Sequence, residues 1–307
     1  MVACLVVLFA AQAADAAFPG RNGRIAFYMD RGSGAEIYTM RPDGAGVRRL
    51  THLDLGVERP QWSPDGNKIV FQMDKPDGEG CFVEVMDSDG SNLTDITPDR
   101  YPARGCTAGP SFTPDGHRVV FSAERCRFCV EDIRSVRLDG TGLRRVIAAR
   151  RLYKFYPKVS PDGRMVAFLA ETRNHAGNAL FSARMNGTHL RRVVPYSVDP
   201  GGLSWAPNSR RIILSDHANT PTEPGNLDTV RPDGTGFRQL TGFRGVDLRA
   251  GCSCSFSPDG NWIVYRRFNE SAGRYAVWKM HPDGTHQIRI LRTKLPATGN
   301  DWGPRPT

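Results

Sequence analysis

Among the 307 residues, the cysteines and histidines, seven of each, are the side chains best equipped for chemistry. Cys126-Arg127-Phe128-Cys129 has the C-x2-C spacing that makes half of a four-thiolate zinc site or the pair of a dithiol oxidoreductase. A redox role needs a helix N-terminus or a βαβ unit to lower a thiol pKa, and the sequence around Cys126 reads as neither. No G-x-S-x-G nucleophile elbow occurs, which removes the usual serine-hydrolase arrangement. His52, His175 and His217 lie in three separate segments, so only the fold could bring them to one divalent metal. No metal or other cofactor is demanded by the spacing, and ordinary surface histidines account for these three.

The elements that must position these residues follow from internal repetition. Trp62-Ser63-Pro64-Asp65-Gly66 returns as Phe112-Thr113-Pro114-Asp115-Gly116, as Val159-Ser160-Pro161-Asp162-Gly163 and as Phe256-Ser257-Pro258-Asp259-Gly260. A worn copy is Trp205-Ala206-Pro207-Asn208-Ser209. A second phrase alternates with the first and ends in Asp43-Gly44, Asp89-Gly90, Asp139-Gly140, Asn186-Gly187, Asp233-Gly234 and Asp283-Gly284, roughly 46 to 51 residues apart. Proline presets the second position of such a turn, aspartate suits the third, and glycine takes the left-handed conformation that follows. Short apolar runs such as Ile69-Val70-Phe71 flank each turn and read as strands.

Each unit therefore supplies four strands: a and b around the first phrase, c and d around the second. Such a sheet must stack on neighbours to bury both faces. The expected fold is all-β, a six-bladed β-propeller of four-stranded antiparallel blades. The chain opens at a strand b, Asn22 to Phe27, and finishes with an unpaired strand a around Trp302. That last strand is expected to complete the first blade, leaving no open edge at the seam. The motifs resemble the PD40 repeats of TolB-like propellers, which are WD40-like, and of the propeller domains of prolyl-oligopeptidase-type enzymes. The resemblance spans about residues 22 to 304 and implies a propeller without the extra α/β domains of those proteins.

In that topology the Asp-Gly turns line one face. The b–c and d–a connections, which differ between blades, line the other, and such loops are where function concentrates. Glu58, Arg59, Arg104, Phe155, Tyr156, His175, His217, Asp247 and Asp301 are the candidate ligand-binding residues at that channel mouth. Their mixture suits the end of a peptide or glycan. Cys81, Cys106, Cys126 and Cys129 also fall on this side, where Cys81–Cys106 and Cys126–Cys129 are the expected loop-stapling disulfides. Cys252 and Cys254 receive no pairing.

The net charge of +9 invites a nucleic-acid reading. However, Arg48-Arg49, Arg144-Arg145, Arg191-Arg192 and Arg238 all fall at the start of a strand d, spread around the rim as protection for outer edges. No nucleic-acid partner is expected. Residues 1–17 carry an apolar run ending in Ala14-Asp15-Ala16, too short to span a membrane and suited to a cleavable signal peptide. The propeller then occupies residues 18–307, without a transmembrane segment. The expectation is an exported monomer, periplasmic or secreted, that binds an envelope or extracellular protein, peptide or glycan without catalysis. The alternative is a propeller enzyme of the metal-dependent polysaccharide lyase or lactonase type, with its site at the same mouth.

Overall fold

Each proline-containing phrase folds into the turn its residues dictate. In the first, the Gly66 N–H donates to the Ser63 carbonyl at 3.0 Å, and Gly66 sits at φ +71°. The Ser63 hydroxyl donates to the Asp65 carboxylate at 2.6 Å, and the Asn67 N–H donates to the same oxygen at 3.0 Å. Thr113–Asp115, Ser160–Asp162 and Ser257–Asp259 repeat the hydroxyl-to-carboxylate bond. In the worn copy Ser209 takes the glycine's place at φ 56°, while Asn208 still accepts from the Arg210 N–H.

The structure, a computed structural model, describes residues 18–32, 34–78, 80–98, 107–123, 132–149, 151–172, 177–216, 225–243, 249–269 and 274–306. These turns join neighbouring strands within six four-stranded antiparallel sheets. Blade 1 contains β1 (Asn22–Asp30), β2 (Ala35–Met40) and β3 (Arg48–Arg49). Blade 2 runs through β4 (Val57–Trp62), β5 (Lys68–Asp74), β6 (Cys81–Asp87) and β7 (Thr94–Asp95). Blade 3 comprises β8 (Thr107–Phe112), β9 (Arg118–Ala123), β10 (Asp132–Arg137) and β11 (Arg144–Ile147). Blade 4 comprises β12 (Tyr153–Val159), β13 (Met165–Glu171), β14 (Ala179–Arg184) and β15 (Arg191–Val194). Blade 5 holds β16 (Leu203–Trp205), β17 (Ile212–Ser215), β18 (Leu227–Val230) and β19 (Arg238–Gln239). Blade 6 holds β20 (Arg249–Phe256), β21 (Ile263–Asn269), β22 (Arg274–Met280) and β23 (Ile288–Thr293).

The final strand, β24 (Ala297–Pro304), returns to pair with β1, placing Trp302 opposite Ile25 and Asp301 opposite Ala26. It fills the innermost place of blade 1, in the order β24-β1-β2-β3. The expected closure is therefore present. Gly303 is fixed by this seam: a Cβ there would lie 2.2 Å from Cγ of the Trp62 indole in blade 2.

The core consists of six apolar clusters, one at each blade-to-blade contact. Ile69 and Phe71 pack toward Ile37 of blade 1, whereas Val70 between them packs toward Phe112 and Val119 of blade 3. Alternation along the strand sends successive side chains to opposite neighbours, so the run is apolar throughout. A threonine just after strand d, in Leu50-Thr51, Ile96-Thr97 and Leu240-Thr241, secures that strand. The Thr51 hydroxyl accepts from the Ile37 N–H, and Thr97 and Thr241 repeat this with Val83 and Leu227, at 2.8 to 2.9 Å.

The rim arginines do more than shield edges. Arg48, Arg191 and Arg238 each donate to the carbonyl of an aspartate in the next blade's turn: Asp89, Asp233 and Asp283. The positive charge is thereby built into a repeated inter-blade clip. No helix among the described residues is long and apolar enough to cross a membrane.

Candidate functional site

The inner strands β4, β8, β12, β16, β20 and β24 surround the channel, and most carry a β-bulge just before the aromatic position. A bulge re-aims side chains and commonly marks a site. Gly109 in blade 3 and Gly299 in blade 1 take it at φ +64° and +68°. Blades 2 and 4 place Arg59 and Tyr156 in the equivalent positions, at φ 57° and 55°. A non-glycine residue held there costs on the order of 1–3 kcal/mol.

The two side chains meet across blade 3. The Arg59 guanidinium carbon lies 3.5 Å from the centre of the Tyr156 ring. Tyr156 leans so closely over Gly109 that a Cβ there would come within 2.8 Å of its Cα. Phe155 packs edge-on against Tyr156, with centroids 5.1 Å apart, and Glu58 sits 3.6 Å from the Arg59 Nε. Tyr28 joins the same rim, where burial first and then the Glu58 charge push its hydroxyl up to about 12.

Below this contact is a throat of about 60 Å3, whose lining includes Gln61, Gly109, Lys158, Ser204 and Asp301. That volume holds a few waters or one small polar group. Gln61, Lys158, Ser204 and Asp301 of its lining belong to a set of equivalent residues, each preceding an inner-strand aromatic or valine, which Ser111 and Ser255 complete. Three of these bind the next blade through its backbone. Asp301 Oδ2 accepts from the Trp62 N–H at 2.8 Å, Gln61 Oε1 from the Phe112 N–H at 3.0 Å, and Ser111 Oγ from the Val159 N–H at 3.1 Å. The Ser255 hydroxyl adds a 3.1 Å bond to Asp301 Oδ1, joining blade 6 to blade 1.

Lys158 breaks the pattern, because an ammonium cannot accept. In blade 4 the link to blade 5 runs instead from the Trp205 indole N–H to the Lys158 carbonyl, at 2.8 Å. Burial pushes the Lys158 ammonium down to about 8, with Asp301 opposing and Arg59 reinforcing that shift. Burial likewise raises the Asp301 carboxyl, against the pull of Lys158.

The structure thus brings together Glu58, Arg59, Phe155, Tyr156 and Asp301 from the expected set. Asp301 lies deeper than the mouth, only 8% exposed, with both carboxylate oxygens already bonded to protein. Arg104, His175, His217 and Asp247 lie outside the described residues, as do Cys106, Cys126 and Cys129. His52 is described and exposed. Sequence reasoning missed Lys158, Gln61 and Tyr28. An alignment of the six inner strands carried the Lys158 signal, since Lys158 is the single cation in a column of Asp, Gln and Ser.

A larger hollow of about 740 Å3 lies on the turn face between blades 4 and 5, lined by Arg164, Arg184, Met165 and Met185 among others. Its acids are committed locally: Asp162 to the Ser160 hydroxyl and Asp233 to the Thr235 hydroxyl.

A family model described as the TolB beta propeller domain, PD40, matches residues 57–246, more than half of the chain and in phase with the blades. The chain belongs to the PD40 family. Among solved structures, this PD40 chain is similar to TolB from Acinetobacter baumannii, with a TM-score of 0.73 at 18% identity, covering 94% of this chain and 68% of that one. An oligogalacturonate lyase in complex with manganese shares the fold at a TM-score of 0.57 and 14% identity, over 89% of this chain and 75% of the lyase. An uncharacterized peptidase, YuxL of Bacillus subtilis, is 30% identical over 134 residues. That match covers 33% of this chain and only 20% of the peptidase.

Proposed function

We propose that this chain is a non-enzymatic, exported binding propeller that presents the variable mouth of its channel to a protein, peptide or glycan. The observation that carries the proposal is the Arg59–Tyr156 contact. Glycine makes the same bulge in blades 1 and 3, so ring closure does not require strained residues at these two positions. Strain kept on a ligand-facing rim is a mark of recognition. Aromatic, cationic and acidic groups converge there, the composition from which interface anchors are drawn.

Export, with residues 1–17 as the leader, belongs to the same proposal and places the propeller in the periplasm or outside the cell. It is supported by the short apolar run ending in small residues. The fold is also used by proteins named as a lyase and as a peptidase, so the test must separate binding from turnover.

The test is capture of partners from cell-envelope extract by the mature chain, beside the Arg59→Ala/Tyr156→Ala double variant. The expected result is a defined partner retained by the native chain and reduced at least about tenfold by the variant. Equal recovery by both, or none by either, overturns the proposal. Turnover of oligogalacturonate with manganese, lost in the same variant, supports the enzymatic alternative instead.

A further inference from the structure

The ring around the throat has one position whose chemistry works against the fold. The equivalent residues Asp301, Gln61 and Ser111 accept a backbone N–H from the next blade. Lysine has three donors and no acceptor. Lys158 therefore forgoes the bond that its neighbours use to hold the ring together. Its ammonium lines the throat and makes no hydrogen bond or ion pair with the described residues. The Lys158 side chain is partly buried, and its charge is opposed by the Asp301 carboxylate without direct contact. A cation kept without a hydrogen bond among residues that accept points to something that enters the throat.

Several donors face this space. Both Asp301 oxygens are engaged by Trp62 and Ser255. The Gln61 carbonyl oxygen is engaged by Phe112, which leaves its amide N–H groups for the throat. Ser204 adds a hydroxyl, and Arg59 stands at the entrance. The arrangement suits an anion with two acceptor oxygens. With burial lowering it only to about 8, the Lys158 ammonium is still mostly protonated at neutral pH.

We propose that the throat beneath the Arg59–Tyr156 contact is a carboxylate site, with Lys158 as its principal ligand, and that it receives the C-terminal carboxylate of a peptide. The inference rests on the binding reading of the mouth and names the chemistry of what binds. A space of about 60 Å3 admits the end of a chain and its carboxylate, while a uronic acid would have to bring a whole sugar ring past Tyr156. Phe155 and Tyr156 then supply the apolar wall for the last side chain.

The experiment uses the full mature chain and three probes: a mixed tripeptide pool with free C-termini, the same pool amidated, and galacturonate. The free-acid pool raises Tm by about 3 °C at saturation, and the amidated pool does not. Lys158→Met abolishes that rise while melting at or above the native temperature, and Lys158→Gln controls for packing by keeping a donor without the charge. Equal shifts from the free-acid and amidated pools, or an undiminished shift in Lys158→Met, overturn the proposal. A shift from galacturonate alone overturns the peptide assignment in favour of a glycan. If the Arg59→Ala/Tyr156→Ala variant loses its envelope partner while both pools act alike, the throat proposal fails and the mouth proposal stands.

Discussion

The two faces of the ring spend their polar residues differently. On the turn face the same bonds recur in blade after blade. Asp65, Asp115 and Asp259 accept from a hydroxyl two residues earlier, and their carboxyls lie below the ordinary range because local hydrogen bonds outweigh burial. On the channel side the blades differ: Arg59 and Tyr156 share one bulge position with Gly109 and Gly299, and Lys158 stands among acceptors. Repetition marks residues that serve the fold, and departure from it marks residues that the fold alone does not explain.

This contrast predicts that removing repeated features costs stability, whereas removing singular ones costs binding. Truncation before Asn300 removes the strand that seals blade 1 together with Asp301 and Trp302. Its Tm is expected to fall by about 10 °C or more by differential scanning calorimetry. A truncated chain that melts like the intact one would break the account of the seam. Asp65→Ala removes one of the repeated turn carboxylates and is expected to lower Tm by about 3 °C without changing peptide or partner binding. A loss of binding at native stability would erase the distinction between the faces.

The smallest effect probes a buried carboxyl that belongs to neither face. Asp228 of β18 is 1% exposed, and burial with the nearby Asp216 charge pushes it up to about 7. Its folded-state value lies above that of the unfolded chain, so the folded state holds the extra proton. Stability from this group is complete below about pH 4 and is lost as pH rises through about 7. Asp228→Asn is therefore expected to raise Tm by about 2 °C at pH 8 and to leave it unchanged at pH 4. An equal effect at both pH values would show that Asp228 is ionised throughout.

Much of this was legible in the chain itself. Serine or threonine, proline, aspartate and glycine in that order specify their turn through local bonds and one positive φ, and the six copies of the alternating Asp-Gly phrase, in phase with it, predict both the blades and their number. An unpaired first strand b and last strand a likewise predict the seam between Ile25 and Trp302. These are short-range properties, and a sequence records them directly.

The site was decided by tertiary structure. Arg59 and Tyr156 are nearly a hundred positions apart, and they touch only because blade 3 contributes a glycine between them. Asp301 reads as a mouth residue in sequence, yet the ring places it in the wall, bonded to blades 2 and 6. The rim arginines read as isolated edge charges, and closure turns three of them into clips onto the next blade. In each case the partner comes from another blade. Sequence periodicity sets what every blade is, while only the closed ring sets which unlike residues face one another across the channel.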